Sequence, residues 1–247
     1  MVILLATGIY PPEIGGPATF VPVLARFLVD QGHVVTVITY GDERTEQGSG
    51  WKVLPIRRGS SVLLRYLRYG WQVYKNATRA DLVFLQGAVS EGLPGTLGAF
   101  FAGKPTVLRV PGDYACEQYQ QRVSLSNRER LEVFVTRAHR GSIRLLELIE
   151  RWVAKRARRI LVPSLYLKKI VGQWGIQSAQ IDVVYNDVRP LPPPRLSRSE
   201  IRKQFGIASD ARVLFSIARA VPWKGIEFLI SLLKDLPSTH VLVVAGD

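Results

Sequence analysis

Residues 2–39 read VILLATGIYPPEIGGPATFVPVLARFLVDQGHVVTVIT, and this stretch decides the fold. Val2–Ala6 is a short apolar run ended by Thr7-Gly8. A loop follows, marked by Pro11-Pro12 and Gly15-Gly16-Pro17. From Phe20 to Val29 apolar residues recur at helical spacing: Phe20, Val23, Leu24, Phe27 and Leu28. Gly32 stands just past the end, where a helix favours a left-handed residue. Val34–Thr39 is rich in β-branched residues and predicts a second strand. Strand, helix and strand make a βαβ unit, which requires parallel pairing and a right-handed crossover.

The alternation continues outward from this unit. Strands are predicted over 53–56, 81–85, 106–110, 160–162 and 181–185. Helices are predicted over 63–74, 92–101, 128–140, 143–159 and 165–174. Nearly continuous apolar strands between helices indicate a doubly wound α/β sheet covered on both faces. Leu191-Pro-Pro-Pro194 interrupts the pattern with a stiff, extended segment suited to a hinge. Strand–helix alternation then restarts over 199–245. The expected organisation is a Rossmann-like domain over 1–190 and the start of a second over 191–247. Two strands are too few to close a core, so the second domain is expected to be incomplete.

Composition narrows the classes. Of 247 residues, 47% are hydrophobic and 21% charged, which excludes a disordered chain. A single cysteine, Cys116, rules out a disulfide framework or a cysteine-based metal cluster and fits a reducing cytosol. The N-terminus lacks a basic region ahead of its short apolar run, so it reads as a strand rather than a signal peptide. No apolar stretch reaches the length needed to span a bilayer. The net charge of +13 calls for an anionic partner: nucleic acid, lipid headgroups or a phosphorylated small molecule. Between Glu46 and Asp81 there is no acid, while Lys52, Arg57, Arg58, Arg65, Arg68, Lys75 and Arg79 fall there. A helix mixing Leu, Trp, Tyr and Arg in that interval can lie on an anionic membrane, or can be a basic surface helix packed on the sheet.

Four segments in order resemble the retaining GT-B glycosyltransferases of family 4, over essentially the whole chain. They are Tyr10-Pro-Pro-Glu-Ile-Gly-Gly-Pro-Ala-Thr-Phe, Leu161-Val-Pro-Ser-Leu-Tyr-Leu with Gln173-Trp-Gly-Ile, Val183-Val-Tyr-Asn-Asp-Val, and Ser216-Ile-Ala-Arg-Ala-Val-Pro-Trp-Lys-Gly. Gly15 and Gly16 allow backbone amides to approach an anion at a helix N-terminus, although a glycine pair after a strand is also an ordinary turn. The spacing is not that of a dinucleotide fingerprint. Arg219 and Lys224 flank a strand-to-helix turn, and the resemblance assigns both to the donor diphosphate, where charge grows on the leaving group. Ser164 and Asn186 lie at strand ends, on the side where open α/β sheets bind ligands; Asn186 also suits a local turn. Asn-Asp stands where the family usually has Asn-Gly.

Many family members carry a histidine after the strand that ends at Val110. Here Arg109-Val-Pro-Gly-Asp-Tyr has none, which leaves Asp113 as the nearest group to orient an acceptor hydroxyl, or as a turn-former beside Gly112. Glu117 and, in the glycine loop, Glu13 are further candidates. The resemblance implies sugar transfer from a nucleotide-diphosphate sugar to an acceptor hydroxyl with retention, the departing phosphate taking the proton. It implies no metal or resident cofactor. The acceptor would be a lipid-linked or cell-envelope glycan, and the protein cytoplasmic or peripheral on the inner membrane face, held through Arg57–Arg79. The family's pair of glutamates seven positions apart has no counterpart, so the chain alone is expected to lack a complete donor site and activity. Two other readings remain: a basic nucleic-acid-binding protein, which would lack a recognisable aromatic platform, and a GT-B-like nucleotide-sugar epimerase.

Overall fold

The computed structural model describes residues 1–42, 45–59, 61–124, 129–186, 193–218, 221 and 224–246. These fall into two units: Met1–Cys116 with Arg130–Asn186, and Glu117–Glu129 with Asp187–Asp247.

The first unit is built on seven parallel strands: β1 (Val2–Thr7), β2 (Val34–Tyr40), β3 (Lys52–Ile56), β4 (Leu82–Leu85), β5 (Thr106–Arg109), β6 (Arg159–Val162) and β7 (Ile181–Val183). They lie in the order β3-β2-β1-β4-β5-β6-β7. The order reverses between β1 and β4, which pair in register from Ile3↔Leu82 to Ala6↔Leu85. This is the doubly wound α/β arrangement predicted from the βαβ alternation.

On one face, α1 (Gly16–Asp30) buries Ala18, Val21 and Ala25. Val21 and Ala25 meet Ile3, Leu5, Val35, Val37 and Phe84 in a single apolar cluster. On the other face, α2 (Val62–Ala77) buries Tyr69, Val73 and Ala77, one residue per turn. Its neighbour α3 (Gly92–Phe101) is rich in small residues because the backbones nearly touch. A Cβ on Gly98 would stand 2.5 Å from the Gly70 carbonyl oxygen and 2.9 Å from the Tyr74 nitrogen. The buried Tyr69 hydroxyl lies 3.0 Å from the carbonyl oxygens of both Thr7 and Ile38, tying α2 to the carboxyl ends of β1 and β2.

Between β5 and β6 come α4 (Tyr114–Gln120), α5 (Leu131–Phe134) and α6 (Gly141–Arg156); α7 (Leu165–Gln173) precedes β7. The helix predicted over 128–140 therefore shrinks, among the described residues, to the single turn of α5. Thr136 and its neighbours Val133 and Val135 are β-branched, and the Thr136 hydroxyl donates back to the Val133 carbonyl at 2.9 Å instead of prolonging the helix. The strand predicted to Tyr185 ends two residues earlier, although the Val184 amide still donates to the Val162 carbonyl.

The second unit holds α8 (Arg198–Gln204), β8 (Arg212–Ile217), α9 (Ile226–Leu232) and β9 (His240–Ala245). The two strands pair in parallel from Arg212↔His240 to Ile217↔Ala245. Ser197 caps α8 in a full capping box with Glu200. Within this unit the apolar side chains of Val213, Leu214, Phe215 and Ile217 are exposed.

Candidate functional site

In a doubly wound sheet, ligands bind beyond the carboxyl ends of the strands where the order reverses. Here that place lies past β1 and β4. The segment after β1 runs from Gly8 to Gly15 and feeds α1. Pro17 occupies the first turn of α1, and neither a capping side chain nor an acid is present there. The Gly16 and Ala18 amides are left without intrahelical acceptors at the positive end of a 15-residue helix. A Cβ on Gly16 would meet nothing within 4 Å, so the helix start is unobstructed at this position. A Cβ on Gly15 would instead press on Ile9 Cδ1 at 2.6 Å.

The loop is held from outside. Arg58 donates to the Gly8 carbonyl at 3.1 Å and to Glu13 Oε1 at 2.9 Å. The Tyr10 hydroxyl, buried, accepts from Trp51 Nε1 at 2.9 Å. Glu13, a candidate from the sequence, is thus a partner of Arg58 and lines a cavity of about 320 Å³ with Tyr10, Asp42, Thr45 and Arg57.

From the β4 side the site is closed by Glu91, which sequence reasoning missed. It stands at the N-terminus of α3, buried, and receives the Gly8 amide and the Ser90 hydroxyl. A Cβ on Gly8 would come within 2.9 Å of Glu91 Oε2, so any larger residue would have to displace this carboxyl. Burial pushes the Glu91 carboxyl above the ordinary carboxylate value. Just past β4, Gln86 is also buried, and neither polar atom of its side chain has a partner among the described residues. Both residues belong to Gln86-Gly-Ala-Val-Ser-Glu91, a small-residue run directly after an apolar strand. That placement is the signal that could have found them.

Asn186 follows β7. Its Oδ1 accepts from Arg109 Nη2 at 2.6 Å, joining the end of β5 to the segment after β7. Arg109 is buried, and its guanidinium stacks on the Phe20 ring of α1 at 4.0 Å. Burial lowers its pKa from the usual arginine value, yet an arginine remains charged.

Asp113 is buried, and its Oδ1 accepts the Cys116 amide at 2.8 Å, with the Trp174 indole as a second donor. Burial raises its pKa; the two hydrogen bonds oppose that shift. Glu150 of α6 completes the arrangement by accepting the Tyr114 amide at 2.8 Å, so two carboxyls satisfy the first turn of α4. Ser164 caps α7, its hydroxyl accepting the Leu167 amide at 3.1 Å. In the second unit Lys224 is exposed and directly precedes Gly225, the left-handed cap of α9 (φ 71). Arg219 lies outside the described residues.

A parallel seven-stranded sheet of this order fits the GT-B architecture, and solved structures agree on the fold. The chain aligns with Anabaena HepE in complex with UDP and glucose at a TM-score of 0.68 and 17% identity, covering 98% of this chain and 60% of that one. It also aligns with the UDP-GlcNAc 2-epimerase of Neisseria meningitidis bound to UDP-GlcNAc, at a TM-score of 0.58 and 14% identity, covering 100% and 66%. Residues 14–190 match Glycosyltransferase Family 4, and the chain belongs to that family. A lipopolysaccharide 1,2-N-acetylglucosaminetransferase of Salmonella typhimurium is 35% identical over 92 residues, 36% of this chain and 24% of that enzyme. The chain thus spans only part of the length of the proteins it resembles.

Proposed function

We propose that the protein transfers a sugar from a nucleotide-diphosphate sugar to an acceptor hydroxyl. The observation that carries this reading is the open N-terminus of α1, with Gly16 unobstructed, inside the segment that matches the family. Backbone amides and the helix dipole at that position suit a diphosphate, and they favour it more as negative charge builds on the leaving group. Lys224 is exposed, in the segment whose resemblance assigns it to a donor diphosphate.

The finer reading is a hexosyltransferase working with retention, needing no metal, on a lipid-linked or cell-envelope glycan. The Salmonella relative, named for lipopolysaccharide, supports the acceptor class. In a retaining reaction on the sugar's front face the departing phosphate takes the acceptor proton, so Asp113 need not act as a base. Its part is then to satisfy the first turn of α4.

The epimerase likeness supports a second reading, acceptor-independent inversion within a UDP-sugar, which the family match disfavours. Calorimetric titration with UDP-, GDP- and ADP-sugars of this chain joined to a second half that completes the donor site, with an oligonucleotide as control, tests the shared premise. Saturable binding of one nucleotide sugar is expected; binding of the oligonucleotide alone would refute the proposal.

A further inference from the structure

We propose that Arg109 holds an oxyanion of the acceptor, a carboxylate or a phosphate on the glycan that receives the sugar. The inference rests on the proposed transfer reaction and goes further by naming the chemistry of the acceptor: it is acidic.

Arg109 ends β5, at the carboxyl end of the sheet, and is only 7% exposed. A buried ionised group is costly unless a counter-charge faces it. Among the described residues none does. Burial shifts the pKa of this arginine, and no acid opposes the shift. The buried acids are engaged elsewhere. Glu91 receives the Gly8 amide and the Ser90 hydroxyl, and Asp113 receives the Cys116 amide. Glu147 meets His139 and Arg144, and Glu150 accepts the Tyr114 amide. The hydrogen bond that the Arg109 guanidinium does make goes to Asn186, a neutral amide.

A bracket between β5 and the segment after β7 needs no charge, since a neutral donor makes the same kind of bond. A guanidinium adds a fork of further donors. Beyond Nη2, its nitrogens make no hydrogen bond among the described residues, and none of them is sealed from solvent. The fork is also held still. Its face lies on the Phe20 ring at 4.0 Å, and Phe20 is stacked on Phe84 of β4 with ring centroids 6.5 Å apart. A cation tied on one side, packed on one face and unbonded at its other donors is prepared for a carboxylate or phosphate, which accepts parallel N–H bonds from such a fork. A sugar hydroxyl carries no charge and would leave the guanidinium uncompensated. The donor has its own place in the proposed reaction: its diphosphate faces the amides that start α1, a full turn before Phe20. The anion at Arg109 therefore belongs to the other substrate.

The test has two arms. In the first, the 247-residue chain carrying isotope-labelled arginine is titrated with methyl glucuronoside, a glucosyl phosphate and neutral methyl glucoside, and the arginine Nε–Hε signals are followed by NMR. The signal that Arg109→Gln removes should move with an acidic probe and stay in place with the neutral one. Whichever acidic probe binds separates carboxylate from phosphate. Arg109→Gln should weaken that binding about 10- to 100-fold, the worth of hydrogen bonds to a charged group. Arg109→Lys keeps the charge without the fork; it should weaken binding less, and it identifies the signal if the glutamine variant does not fold. In the second arm, the chain joined to a second half that completes the donor site is assayed on a neutral disaccharide acceptor and on the same disaccharide carrying the acidic group that bound. The acidic acceptor should have the higher kcat/KM, and Arg109→Gln should erase the preference. Turnover of neither acceptor would refute the transfer reaction, and the titration would still judge Arg109. Equal shifts with the neutral probe, an Arg109 signal that no acidic probe moves, or an acidic preference that the glutamine variant retains would each overturn the proposal.

Discussion

Arg109 and Asn186, 77 residues apart, are joined by a 2.6 Å hydrogen bond from the guanidinium to the Asn186 side-chain oxygen. The bond fastens the segment after β7 to the end of β5 while Phe20 of α1 covers the cation. Asn186→Ala leaves a largely buried charged donor unpaired. It should cost about 1–2 kcal/mol, read as a lower urea midpoint at unchanged slope. Asn186→Asp should recover that loss, because a carboxylate at the same place pairs with the guanidinium.

Gly16 separates binding from folding. It starts α1, is exposed, and has open space where a Cβ would go. Gly16→Val should leave the melting temperature close to that of the parent and should abolish nucleotide-sugar binding by filling the space before the helix amides. Retained affinity in calorimetry would remove the diphosphate from this position.

Glu91 gives stability a pH dependence of known sign. Its folded pKa is raised by burial above the unfolded value, so the folded state holds the proton more tightly. The resulting stabilisation is fully present below the unfolded carboxylate value and is lost as pH rises through the raised one. Asp113, also raised, acts in the same direction. Glu91→Gln keeps a neutral hydrogen-bonding side chain and should flatten part of the decline in melting temperature between mildly acidic and neutral pH. An unchanged profile would show that the carboxyl is already ionised in the folded protein.

Gly98→Ala tests the contact of α2 with α3. The added carbon would meet backbone atoms of Gly70 and Tyr74, which cannot rotate away. Destabilisation of about 1–3 kcal/mol is expected in chemical denaturation. The same change at Gly172, where a Cβ meets nothing within 4 Å, should cost none of this.

The local signals of this chain were legible and the distant ones were not. Val2–Ala6 read as a strand from its apolar run and Val34–Thr39 from its β-branched residues, each extended by one residue in the fold, and Gly15-Gly16 read as a loop entering a helix. The helix itself starts at Gly16, earlier than its apolar period suggests, because Pro17 suits a first turn. Helix α4 escaped notice since it is short and its first turn is satisfied by Glu150, 36 residues away. The pairing of Arg109 with Asn186 and the Glu91–Gly8 contact likewise depend on strands being brought side by side. Leu63, Leu67 and Trp71 fit a helix period equally well turned in or out, and only packing decides that they face outward.

The central claim is that this protein moves a sugar off a nucleotide diphosphate onto an acceptor. The most direct measurement is NMR of the anomeric carbon when this chain, joined to a second half that completes the donor site, is incubated with the nucleotide sugar that binds, with and without candidate glycan acceptors, comparing the parent with Lys224→Ala. The account predicts release of nucleoside diphosphate that requires an acceptor, a product with the donor's anomeric configuration, and most turnover lost in Lys224→Ala without loss of stability. Conversion of the sugar nucleotide in the absence of any acceptor, or turnover unaffected by Lys224→Ala, would contradict it.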